Sequence, residues 1–208
     1  MLKDAILVQE SLWKDELQLW RESVDVDAKM MDLANRKRAL YAASDMIMKS
    51  RADQKCPTYA SLLQLFGNWK KQYEKDYSEA HGDLSLVDLL SPFVQVDLLL
   101  WDPFNSMPAY VFEERSWFLD SSQEDIVMAK LLSKTILPKL TRLISFAESN
   151  EHVMNKEGSR GWSFILNLRT AADLVDRCCK CHDGLVDKES MQSLNYLLNV
   201  NSHSFSIS

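Results

Sequence analysis

Apolar side chains recur every three or four residues along most of this chain, and this spacing is the feature that most constrains its fold. Such a period places the apolar residues on one face of an α-helix, whereas a β-strand would need alternation every two residues. Only five Gly and five Pro interrupt the 208 residues, so long helices can form. The sequence therefore predicts an all-α fold.

The first 57 residues carry two consecutive amphipathic segments. Their apolar positions are Ile6, Trp13, Leu17, Trp20 and Val24, followed by Val26, Met30, Leu33, Leu40 and Ile47. The spacing is close to a heptad, and its phase slips near Asp25. We expect an N-terminal amphipathic helical arm over residues 1–57, either a helical hairpin or a coiled coil. Cys56-Pro57 closes the arm, because the residue before a proline disfavours the helical conformation.

An irregular helical bundle is expected to follow over residues 58–200. From Thr58 the helical period resumes with an unusually aromatic stripe that ends near Gly82. Ser91-Pro92 has the residue types of an N-cap and a first helical residue, so a short buried helix is predicted to start there. The Ser-rich residues 201–208 are expected to form a flexible tail.

The charge balance argues against a protein that binds mainly phosphate groups. The chain carries 24 Lys and Arg against 30 Asp and Glu, a formal net charge of −6. Arg36-Lys37-Arg38 is the tightest basic cluster, but it lies on a predicted helix close to acidic residues. We interpret it as a solvated helix face, and we do not expect direct binding to nucleic acid.

Membrane insertion and secretion are not expected. The longest apolar runs, Ala5–Val8 and Leu98–Trp101, are far shorter than the roughly 18 residues that span a bilayer. The four cysteines do not form the framework of a disulfide-rich protein, and two of them are adjacent. These features indicate a reducing compartment, which is the nucleus or the cytosol.

No pattern of residues indicates catalysis. Cys178, Cys179, Cys181 and His182 resemble zinc ligands in type, but on a helix they would spread over more than half of the circumference. A nucleophile within Gly-x-Ser-x-Gly is absent from the sequence, and the five glycines are scattered. We expect no enzyme activity, no catalytic residues, no cofactor and no metal, and we interpret the cysteines as small buried thiols.

A set of ordered motifs resembles the GC-rich sequence DNA-binding factor-like domain family. The motifs are Phe66–Lys70, Tyr73–Ala80, Leu84–Leu86, Leu89–Val94, Leu98–Pro103, Trp117–Phe118 and Ile136–Thr141. Within the family, the chain is most similar to the branch of the Pax-binding proteins and GC-rich sequence DNA-binding factors. The chain starts inside the helical region that precedes this domain and stops early, so we expect a fragment, an isoform or a divergent member.

The resemblance implies a function that composition and spacing do not reveal. It implies a nuclear, all-helical, non-catalytic scaffold in pre-mRNA splicing, associated with disassembly of the intron-lariat spliceosome. The implied partners are the G-patch tuftelin-interacting splicing protein and, through it, a DEAH-box RNA helicase, together with other spliceosome components. The alternative is a sequence-specific regulator that binds GC-rich promoter DNA, as the family name suggests.

Large aromatic side chains are the residues that we expect at a partner interface, because such residues dominate the energetics of protein–protein contacts. The candidates are Trp13, Trp20, Trp69, Tyr73, Tyr77, Trp101 and Trp117. If one of them is fully buried against a partner, it contributes roughly 1.5–3 kcal/mol.

Overall fold

The computed structural model describes residues 1–19, 26–53, 57–104, 112–121, 125–148 and 159–180, together with Gln192. Every regular element within these residues is helical, which confirms the all-α fold. The α-helices are α1 (Leu2–Leu19), α2 (Val26–Asp53), α3 (Tyr59–Gln72), α4 (Glu74–Glu79), α5 (Gly82–Asp97), α6 (Ser116–Ser121), α7 (Asp125–Glu148) and α8 (Ser159–Lys180). Two short 3₁₀ helices span Leu98–Leu100 and Phe112–Glu114.

The chain forms two compact units, each assembled from separate stretches of sequence. The first unit contains Met1–Cys56, Val96–Tyr110 and Arg142–Ile165, and the second contains Pro57–Gln95, Val111–Thr141 and Leu166–Ser208. The predicted boundaries at residues 57 and 200 divide the chain into contiguous segments, and they stay a prediction. Trp20, the expected phase slip near Asp25 and the expected tail lie outside the described residues.

Helices α1 and α2 form a hairpin within the first unit. The connection from Leu19 to Val26 is too short to return to the start of α1, so the two helices run antiparallel. A hydrogen bond of 2.6 Å from Arg36 in α2 to Asp15 in α1 fixes their register. Of the two predicted arrangements for this segment, the structure has the hairpin.

A row of leucines fills the space between the two helices. The buried cluster consists of Ala5, Leu12, Leu19, Leu33, Leu40 and Leu99, with Leu2, Ile6, Met30 and Ile47 packed against it. Several of these residues belong to the apolar positions that the spacing predicted, among them Leu33 and Leu40. The participation of Leu99 shows that the 3₁₀ helix after α5 forms part of the core of the first unit.

The predicted helix start at Ser91-Pro92 is wrong. Helix α5 begins at Gly82 and continues through Pro92 to Asp97, and the Ser91 hydroxyl donates to the carbonyl oxygen of Val87 at 2.8 Å. An internal proline removes one helical hydrogen bond, at a cost of about 3 kcal/mol. The buried residues on both sides of Pro92 outweigh this cost, because they give α5 one continuous apolar face: Leu86, Val87, Leu90 and Val94.

The aromatic stripe after Thr58 also differs from the expectation of one helix. Helix α3 ends at Gln72, and Tyr73 leaves the helical conformation before α4 begins at Glu74. The break lies inside the stripe, so its aromatic residues are divided between two helices. Among the helices in the described residues, none combines the length and apolar character needed to cross a bilayer.

The leucine row gives a direct test of the hairpin core. Leu12 and Leu7 both lie on α1, but Leu12 is 1% exposed and Leu7 is 64% exposed. We expect Leu12→Ala to lower the free energy of unfolding by about 2–5 kcal/mol, because it leaves a cavity in the core. The matched variant Leu7→Ala should change it by less than about 0.5 kcal/mol. Urea denaturation followed by circular dichroism measures both values, and equal losses in the two variants would contradict the packing described.

Candidate functional site

Two of the seven predicted interface aromatics lie inside the first unit. Trp13 on α1 and Trp101 after the 3₁₀ helix meet edge to face with ring centroids 6.0 Å apart, and each is 3% exposed. Their packing stabilises the contact between the hairpin and the segment that follows α5. Both residues therefore contribute to the interior of the unit in this conformation.

Four more of the predicted aromatics lie in the second unit. Tyr77 and Trp117 are buried there, whereas Trp69 is half-buried. The rings of Phe66, Trp69 and Tyr77 form an edge-to-face cluster with centroid distances of 5.0–6.4 Å. Tyr73, at the break between α3 and α4, is 57% exposed. The assignment of all seven residues to a partner interface stays a prediction, and Tyr73 has the exposure that such a role needs.

A polar network orients Tyr77 within this aromatic cluster. Its hydroxyl donates to Asp83 at 2.7 Å, and the Lys70 ammonium lies 3.3 Å from the same carboxylate oxygen. Lys70 also lies 5.5 Å above the Tyr77 ring. Gly82 packs so closely against that ring that a Cβ atom would overlap it. His81, which joins α4 to α5, has a φ of 52°, in the left-handed region that non-glycine residues rarely adopt.

The same residues line a cleft of about 310 Å³ in the second unit. Lys70, Tyr77, His81 and Asp83 contribute to it, together with Lys130 of α7. The Asp83 carboxylate accepts hydrogen bonds from the Tyr77 hydroxyl and the Lys70 ammonium, and these bonds fix the two side chains. Because the same oxygen is occupied by both donors, it is poorly placed to act as a general base. The cleft has the size and mixed charge to accept a side chain of a partner.

The first unit contains a buried ionic cluster that the apolar pattern did not predict. The Lys37 ammonium of α2 donates to Glu16 of α1 at 2.5 Å and to Asp102 at 2.8 Å. The other oxygen of Asp102 accepts the backbone N–H of Phe104 at 3.1 Å. We call Glu16, Lys37 and Asp102 the Lys37 cluster. All three side chains are at most 19% exposed, so the attraction between them is only weakly screened by solvent.

Gln9 and Ser44 bind the carbonyl groups at the end of α5 and in the turn after it. The Gln9 amide nitrogen donates to the carbonyl oxygens of Leu98 at 2.8 Å, Leu99 at 3.2 Å and Trp101 at 3.3 Å. The Ser44 hydroxyl donates to the carbonyl oxygen of Val96 at 3.1 Å. Donors become scarce for the last carbonyls of a helix, so these side chains supply buried donors there, and the Leu98 carbonyl also accepts the backbone N–H of Trp101 at 3.2 Å. A polar residue on a predicted apolar face was the only available signal for Gln9.

The Arg36-Lys37-Arg38 cluster is largely neutralised within the first unit. Arg36 is bonded to Asp15 at 2.6 Å and lies 3.8 Å from Asp32, while Lys37 belongs to the cluster described above. Within the described residues, Arg38 is the member of this sequence that has no carboxylate partner. The site therefore offers one cation instead of three, which weakens the case for binding the phosphates of a nucleic acid.

The cysteines near residue 180 have the residue type of zinc ligands. Within the described residues, no three His, Cys, Asp or Glu side chains come together as metal ligands. Cys181 and His182 lie outside those residues, and the side chains of Cys178 and Cys179 are not described either. The expectation of no metal therefore stays a prediction.

Comparisons with known proteins support the resemblance that the motifs indicated. The chain is 29% identical over 99 residues to the Intron Large complex component GCFC2 of mouse, which covers 40% of this chain and 13% of that protein. It is 32% identical over 92 residues to the human PAX3- and PAX7-binding protein 1, which covers 36% of this chain and 10% of that protein. The matches thus span about a tenth of each relative. No family model and no solved structure matches the chain.

The Lys37 cluster makes the stability of the fold sensitive to alkaline pH. Burial opposes the charge of Lys37, but Asp102 and Glu16 outweigh it and raise the pKa of the ammonium above 10.5. Burial and the charge of Asp102 also raise the pKa of the Tyr41 hydroxyl above 10.0. Both groups hold their protons more tightly in the folded chain than in the unfolded chain. Their contribution to stability is therefore fully present below their ordinary pKa values, and it is lost as the pH rises through the raised pKa values of the folded chain.

We expect the free energy of unfolding to fall as the pH rises from about 8 to about 11, and Lys37→Met to reduce this fall. The variant itself is less stable at every pH, because it leaves Glu16 and Asp102 without their cation. The control is Lys71→Met, which removes an exposed lysine of α3 and should leave the fall unchanged. Urea denaturation at the two pH values measures it, and equal falls in all three proteins would contradict the role given to Lys37.

Proposed function

We propose that this chain is part of a non-catalytic nuclear scaffold that acts in pre-mRNA splicing. The observation that carries the proposal is the similarity to the mouse protein named as an Intron Large complex component, over 40% of this chain. The relatives are much longer than the matched regions, so their activities and partners come to this chain only as proposals.

The distribution of charge and apolar surface supports a role in protein binding. The first unit pairs Arg36 and Lys37 with its own carboxylates, so little of this basic segment is available for phosphates. The second unit leaves large apolar side chains exposed on or next to α3 and α5, and these are Leu65, Tyr73, Leu84 and Leu89. Exposed apolar side chains of this size are typical of surfaces that bind other proteins.

The finer proposal concerns the partner and the stage of splicing. The family resemblance favours the G-patch tuftelin-interacting splicing protein as the direct partner, with a DEAH-box RNA helicase recruited through it. The corresponding stage is disassembly of the intron-lariat spliceosome. Tyr73 is the contact residue that we favour, because its ring is exposed at a break between two helices whose neighbouring aromatics are packed.

We expect Tyr73→Ala to weaken binding to the purified G-patch protein by about tenfold or more, since tyrosine is enriched among the few interface residues that contribute about 2 kcal/mol or more. Isothermal titration calorimetry with the intact chain measures the affinity, and circular dichroism verifies that the variant is folded. The control is Leu166→Ala, which truncates an exposed apolar side chain of α8 and should leave the affinity unchanged.

Two results would contradict the proposal. One is the absence of binding between the folded wild-type chain and the G-patch protein. The other is tight binding to a GC-rich DNA duplex that weakens steeply with salt, with a slope of about −0.9 per neutralised phosphate. The second result would favour the alternative function of a promoter-binding regulator.

A further inference from the structure

Helix α2 presents a second apolar face that the first unit does not cover. Leu33, Leu40 and Ser44 point into the unit, where they are buried. The opposite side carries an exposed row of mostly apolar residues that we call the outer stripe: Ala28, Met31, Asn35, Ala39, Ala42 and Met46. Met31 and Met46 are 69% and 62% exposed. A helix with apolar residues on two faces is typical of one that packs against neighbours on both sides.

The outer stripe has the geometry of a helix-packing surface. Its residues follow one another at spacings of three and four, and the pattern repeats after 11 residues, so the stripe runs straight along the helix for about 27 Å. Ala39 and Ala42 lie towards its middle, and methionines lie on either side. Small side chains allow a second helix to approach closely, while methionines adapt their shape to the gaps that remain.

Charges beside the stripe favour another copy of the same helix as the occupant. Arg38 and Asp45 lie beside the outer stripe, not within it. They are seven residues apart, about two helical turns, so both lie along the same edge of the stripe. In an antiparallel pair of identical helices, equal edges meet, so Arg38 of each copy faces Asp45 of the other. Within the described residues Arg38 has no carboxylate partner, and Asp45 makes an exposed ion pair with Lys49 at 2.6 Å. This arrangement gives two equivalent ion pairs across one two-fold axis.

We propose that two copies of this chain associate through the outer stripes of their α2 helices, which run antiparallel. Ala39 of one copy then lies opposite Ala42 of the other, and Asn35 lies opposite Met46. The interface is self-complementary and closed, so it produces a dimer and no longer assembly. The interface uses α2 of the first unit, whereas the cleft and Tyr73 belong to the second unit, and the proposal is independent of the proposed partner in splicing.

Analytical ultracentrifugation of the full chain from about 1 µM to about 100 µM tests the proposal, because dimer formation follows mass action. We expect the mass to rise from 24.0 kDa towards twice that value. Ala42→Glu buries a charge in the contact and should raise the dissociation constant of the dimer by about tenfold or more. The control Ala60→Glu adds the same charge at an exposed alanine of α3 and should leave dimer formation unchanged. Circular dichroism verifies that both variants are folded.

A charge exchange tests the antiparallel arrangement. Arg38→Asp and Asp45→Arg should each weaken the dimer, because each places like charges opposite one another, and the double variant should restore it. A folded wild-type chain that stays monomeric at about 100 µM overturns the proposal, and so does a dimer that Ala42→Glu leaves intact. A double variant no stronger than the single ones overturns the antiparallel pairing. Monomers under all conditions would instead favour a different protein as the occupant of the stripe.

Discussion

The first unit depends on side chains of the helical hairpin that bind the end of α5 and the turn after it. The helical hydrogen bonds of α5 end in that segment, and the segment enters a leucine-rich core that excludes water. Gln9 donates to three of these carbonyls, and the ammonium of the Lys37 cluster holds Asp102 just beyond them. Without these donors, burial of Leu99 would require unsatisfied polar groups in the interior.

The same contacts determine what the surface of the unit can do. Lys37 and Glu16 are paired with each other in the interior of the unit. Arg36 is paired with Asp15, which precedes Glu16 on α1. Two of the three cations in the basic sequence, Arg36 and Lys37, are thereby held in structural ion pairs. Exposed apolar side chains remain on the outer face of α2 and, in the second unit, on or next to α3 and α5, and this distribution supports the proposed role in protein binding.

The sequence predicted the helical class and the apolar seam of α2, because burial of Leu33 and Leu40 follows directly from their spacing. On α1 it did not select Ala5, Leu12 and Leu19, which form the buried seam there. It missed Gln9 within the buried face, because a period of apolar residues treats any polar residue as exposed. It also misplaced the start of α5, since the preference of Ser-Pro for helix starts is weaker than the burial of the leucines and valines around it. Contacts between residues distant in sequence decided these features, and local patterns carry no information about them.

The most direct test of this dependence is the stability of Gln9→Ala against Gln64→Ala, an exposed glutamine of α3. Urea denaturation should show that Gln9→Ala lowers the free energy of unfolding by about 1–3 kcal/mol, because three buried carbonyls lose a hydrogen bond from the Gln9 amide. Gln64→Ala should change the free energy of unfolding by less than about 0.5 kcal/mol. Equal, small effects of the two substitutions would contradict the claim that Gln9 anchors the end of α5 to the hairpin.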